Sequence, residues 1–127
     1  MSVTKVEELQ ELIVRWVFDN SPQNWTKYCH YIELVKTGED FENSSSSVWF
    51  HNNEEVDYRV DVNNRYLLLK LFFELNETMH NSKEYWTTCK MKVTVDGQYN
   101  FDFGYDIPPR LMGSAEDLMY DPDYKEF

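Results

Sequence analysis

Glycine and proline are scarce in this 127-residue chain, with four of each. So few glycines leave little material for a phosphate-cradling loop, and neither G-x-x-x-x-G-K-[ST] nor the G-x-S-x-G nucleophile elbow occurs. Cysteine is scarcer still: Cys29 and Cys89 form no C-x-x-C pair and no disulfide framework, which predicts a reducing, cytosolic compartment. Long apolar runs are missing as well. The longest, residues 66–73, is interrupted by Lys70 and falls far short of the roughly 20 residues of a membrane span. The N-terminal Met-Ser-Val-Thr-Lys-Val-Glu-Glu has no basic stretch followed by an apolar one, so no secretory leader is expected. His30, His51 and His80 lack metal-ligand spacing of the H-E-x-x-H kind, and no metal or other cofactor is expected. The carboxylate pairs Glu54–Glu55, Glu116–Asp117 and Asp121/Asp123 lack calcium-loop spacing and read as solvated charge.

What is present is aromatic and acidic. Hydrophobic residues make up 42% and aromatics 17% of the chain, too apolar for disorder, and the length suits a single domain spanning 1–127, with a core over about 4–106 and an acidic tail over about 107–127. The formal charge is −11. A field of that sign repels nucleic-acid phosphates and anionic lipid, so the chain is expected to touch neither nucleic acid nor membrane and to meet a cationic partner, although acidity also serves solubility alone. The excess is concentrated. Glu39, Asp40, Glu42, Glu54, Glu55, Asp57 and Asp61 face only Arg59 between residues 39 and 61, and Asp106, Glu116, Asp117, Asp121, Asp123 and Glu126 face only Arg110 and Lys125 beyond residue 105.

Along the chain, Thr4 and Glu7 make a capping-box pattern ahead of Val6, Leu9, Leu12, Ile13, Trp16 and Val17, which recur at helical spacing until Asp19-Asn20-Ser21-Pro22 stops them. Trp25 to Val35, aromatic and β-branched, reads as a strand. The serine run 44–47 reads as a loop tip before the strand Val48-Trp49-Phe50, and Val56, Tyr58 and Val60 alternate as a second short strand. From about Asn64 to Asn81 the positions Leu68, Phe72, Leu75 and Met79 define a helix. Its first half is apolar nearly all round and is expected to be packed on more than one side. Two alternating runs, Cys89 to Val95 and Tyr99 to Tyr105, flank Asp96-Gly97 and predict a hairpin closed by a type I′ turn. Beyond Asp106 the prolines disrupt regular structure, leaving a tail that lies over the domain or hangs free, with a short helix near Ser114 to Met119. Tyr120, Tyr124 and Phe127 read as anchors of a docking segment within it. The order of helix, strands, helix and hairpin predicts an α+β domain. Its architecture is an antiparallel sheet of four to five strands with two main helices on one face.

Three stretches carry a family resemblance: Leu71-Phe72-Phe73-Glu74-Leu75, Trp86-Thr87-Thr88-Cys89-Lys90-Met91, and Asp96-Gly97-Gln98-Tyr99-Asn100-Phe101-Asp102-Phe103-Gly104-Tyr105-Asp106. They resemble the YezG family of bacterial immunity proteins, antitoxins that neutralise secreted polymorphic nuclease toxins. A weaker likeness extends through Trp25 to Ile32 and Val48-Trp49-Phe50. The resemblance implies a non-enzymatic protein without cofactor that occludes the active site of a toxin domain, expected to be a basic nuclease. On that expectation the residues meeting the toxin are Glu39, Asp40, Glu42, Glu54, Glu55, Asp57, Asp61, Asp102, Asp106, Glu116, Asp117, Tyr120, Asp121 and Asp123. An acidic adaptor unrelated to toxins, and a small hydrolase built on scattered carboxylates, are the other classes the residues allow.

Overall fold

The computed structural model describes residues 4–80 and 85–127. Helix α1 (Lys5–Asp19) begins where the Thr4 hydroxyl accepts the Glu7 N–H at 3.1 Å, and it buries Leu9, Ile13, Trp16 and Val17 along one stripe. Strand β1 (Lys27–Thr37) follows, turning at Gly38 (φ 64°) into β2 (Asp40–His51) and then the short β3 (Glu54–Val56). Helix α2 (Val62–Met79), the strands β4 (Thr88–Thr94) and β5 (Tyr99–Gly104), and the one-turn helix α3 (Pro109–Met112) complete the order. The expected helix limit at Asn81 lies outside the described residues.

The five strands form one antiparallel sheet in the order β3-β2-β1-β4-β5, as the α+β reading predicts. Tyr28, Ile32 and Leu34 of β1 join Cys89, Met91 and Val93 of β4 beneath both helices, where Leu68, Phe72 and Leu75 of α2 close the main core. Each such side chain, removed wholly from water, contributes about 1.5–3 kcal/mol.

The opposite face is covered too, by the tail, which was expected either to lie over the domain or to hang free. Cys29, Tyr31 and Phe50 form a second cluster under Tyr124, with Val48 and Phe127 packed against it. The tail therefore lies across the sheet, and Tyr124 and Phe127 anchor it to its own domain. Coverage on both sides explains why Tyr28 to Leu34 is buried without interruption instead of alternating.

Three expectations are corrected. The serine run is the middle of β2, with Ser44 opposite Glu33 and Ser47 opposite His30, so the polarity of this stretch reflects an edge strand and not a loop tip. Only Glu54–Val56 pairs with β2; beyond it Tyr58 donates its hydroxyl to the Asn20 carbonyl as the chain leaves the sheet towards α2. The first half of α2 packs against both the sheet and α1, as expected, with the Trp16 indole N–H donating to the Asn64 carbonyl at 2.8 Å, while Val62, Tyr66 and Leu67 stay more than half exposed because no layer lies outside the helices. The β4–β5 hairpin forms as expected, but Gly97 (φ 92°) carries its positive φ without Asp96. Gly97 N–H bonds Thr94 C=O at 2.9 Å and Thr94 N–H bonds Gln98 C=O at 2.8 Å, the pattern of a three-residue loop ending in a left-handed glycine, not of a type I′ turn.

Candidate functional site: an acidic edge of the sheet

The β1–β2–β3 meander places six of the sequence-predicted residues on one edge of the sheet. Glu39 and Asp40 sit at the β1–β2 turn and Glu42 lies just inside β2; Glu54, Glu55 and Asp57 flank the far end of the same strand. All six are exposed. Eleven steps of a strand span about 37 Å, so these acids form two groups at opposite ends of the edge, with Asn43 and the four serines between them. The ion pairs among the described residues are Lys5–Glu74, Lys36–Glu77 and Arg110–Asp121, so none of the six belongs to one, although the Glu39 charge reaches the Lys36 ammonium.

The remaining predicted residues have internal work or lie elsewhere. Asp61 caps α2, accepting the Asn64 N–H at 3.2 Å and side-chain amide at 2.7 Å, and these hydrogen bonds hold its carboxyl below the ordinary carboxylate range. Asp117 accepts the Ser114 N–H and hydroxyl, each at 3.1 Å, in the turn where a short helix was expected; one 3₁₀ turn, Asp117–Met119, forms there. Asp121 pairs with Arg110 at 3.2 Å, and Asp123 caps the last turn through the Lys125 N–H. Tyr120 packs edge-on against Tyr31 with ring centres 5.5 Å apart. Asp102 stands opposite Lys90 and, with Lys92, Asp123 and Glu126, lines a cavity of about 330 Å³ of mixed charge. Asp106 follows β5 at the other side of the sheet, and Glu116 is exposed on the tail. The structure thus gathers Glu39, Asp40, Glu42, Glu54, Glu55 and Asp57 on one edge and leaves the tail acids and the β5 acids apart from it.

Two features could not be read from spacing. Glu33, completely buried, accepts the Tyr31 hydroxyl and the N–H groups of Arg110 and Leu111, at 3.1 and 3.0 Å, where α3 begins. The Arg110 guanidinium then bonds the Tyr120 carbonyl at 2.8 Å and the Ser46 hydroxyl at 2.9 Å, and lies 4.9 Å over the Tyr31 ring. This is a staple for the tail, buried at Glu33 and open to solvent at Tyr120. The second feature is a cleft of about 620 Å³ beside β2, floored by Ser45, Ser46 and Ser47 and walled by Tyr58, Arg59, Arg65 and Tyr66.

No family model and no curated protein matches this chain.

The chemistry of the buried groups fits no obvious reaction. Burial pushes the Cys29 thiol up to about 11 and raises Cys89 further, so neither is a thiolate near neutral pH. His30 is driven by burial down to about 3; its Nδ1 meets the Tyr28 hydroxyl at 2.8 Å and its ring stacks on Phe72. Among the described residues, no three His, Cys, Asp or Glu side chains are grouped to hold a metal ion, and no helix is long and apolar enough to cross a membrane.

Proposed function

We propose that this chain is an immunity protein: it binds and neutralises a cognate toxin domain, a basic nuclease, by covering its substrate groove, with no cofactor and no reaction of its own. The observation that carries the reading is the six exposed carboxylates gathered at the two ends of β2, none of them in an ion pair. Uncompensated charge on an ordered edge weakens the fold slightly through self-repulsion but raises the encounter rate with an oppositely charged surface. A nuclease must present such a surface to bind phosphates. The likeness of the second helix and hairpin motifs to the YezG family points the same way.

Co-expression with the product of the adjacent gene tests the reading. Protection of the host and a complex that weakens as salt rises are expected. Absence of both protection and complex at low salt would leave the edge as the surface of an acidic adaptor in another assembly.

A further inference from the structure

Backbone geometry adds something that the charges do not. β3 pairs with β2 only at Trp49, Phe50 and His51, so from Asp40 to Val48 the outer side of β2 has no backbone partner among the described residues. The two-residue loop Asn52–Asn53 makes His51 and Glu54 a mutually hydrogen-bonded pair, and alternation then turns the N–H and C=O of Trp49 towards β3. By the same period of two, Phe41, Asn43, Ser45 and Ser47 direct theirs to the open side. The cleft of about 620 Å³ lies along this edge. Ser45 and Ser47 line it from the helix face of β2, the face of Ile32 and His30, while the Ser46 side chain turns to the opposite face to meet Tyr124 and Arg110.

The geometry points to strand addition: the open edge of β2 accepts an extended segment of a cationic partner, which pairs with Phe41 to Ser47 and places an apolar side chain against Tyr58 and Tyr66. Charge selects this occupant at its two ends alone, because Arg59 and Arg65 wall the cleft between them. A second copy pairing antiparallel on the same edge would bring Asp40 and Glu42 towards Glu54 and Glu55 of the other molecule, a like-charge contact at both ends. A strand with lysine or arginine at its ends meets opposite charge at both. Main-chain bonds supply affinity in this mode and the alternate side chains supply specificity. The inference rests on the proposed function only for the sign of the partner's charge.

The probe is a synthetic peptide of Thr-Val repeats between paired lysines, together with its analogue N-methylated through the repeats. With the ¹⁵N-labelled protein at low salt, the peptide is expected to shift the amides of Phe41, Asn43, Ser45 and Ser47. Ser45→Pro removes an outward N–H at an edge position where proline is tolerated, and should weaken binding at least about tenfold, whereas Ser45→Ala should bind as the parent does. If Ser45→Pro does not fold, the N-methylated peptide on the unaltered protein gives the same answer, since it cannot donate to the edge. Absence of peptide binding overturns the proposal; so does binding that neither N-methylation nor Ser45→Pro reduces, because charge alone would then account for it. Growth protection is read separately: peptide binding without protection removes the immunity reading and keeps the edge, while protection that survives Ser45→Pro undiminished removes the edge and keeps immunity.

Discussion

A carboxyl group taken wholly out of water must have its acceptor sites filled, and Glu33 receives one O–H and two N–H donors. Glu33→Ala would strand the Tyr31 hydroxyl and the two α3 amides together. Loss of about 2–5 kcal/mol in urea unfolding is expected, and an unchanged midpoint would show that the staple is dispensable. His30 acts through pH. Its folded value of about 3 lies below its ordinary 6.5, so between these values the unfolded chain holds the extra proton. Stability is complete in this respect above about pH 6.5 and falls as pH drops towards 3. His30→Gln should flatten that part of the stability profile; an equally steep decline in the variant would place its origin in the carboxylates instead.

Among the elements, the tail settles a choice that spacing left open, between lying over the domain and hanging free. Pro108 and Pro122 are buried, α3 meets β1 and β2, and Tyr124 seals Cys29 and Phe50, so residues 107–127 serve as the second layer of the sheet. A chain ending at Asp106 should unfold at a markedly lower temperature and self-associate, because Tyr31, Phe50 and Cys29 would face water and Glu33 would lose two of its donors. Calorimetry and gel filtration read both effects, and a truncated monomer with the parent's melting temperature would return the tail to the role of a free docking segment.

For the molecule as a whole, long-range charge governs encounter while short-range contacts govern residence. Converting Glu54, Glu55 and Asp57 to their amides should therefore slow association with the cationic partner several-fold at low salt, with a much smaller change in dissociation. The difference should vanish as the Debye length falls to a few ångströms near molar salt. Stopped-flow traces across a salt series measure both constants. An association rate indifferent to the substitutions would take the β3 end of the edge out of the interface.

Local pattern carried much of this protein. The Thr4 cap, the helical stripe of α1, the Leu68–Phe72–Leu75 face of α2 and the alternation around Asp96-Gly97 are short-range signals, each settled within a few turns or one hairpin, so the α+β architecture was legible from spacing alone. The acidic segments were legible as charge. Tertiary structure decided which of those acids share a surface. Asp61, Asp117, Asp121 and Asp123 became caps and an ion pair, while Glu39, Asp40, Glu42, Glu54, Glu55 and Asp57 were left on one edge. The serine run shows the reason most clearly. Four small polar residues suit a loop tip and an edge strand equally well, and only pairing with β1, across a turn that brings Thr37 to Asp40, fixes the choice. Burial of Glu33 likewise depends on Arg110 and Leu111, more than seventy residues away, and no periodicity within the strand can signal a partner at that distance.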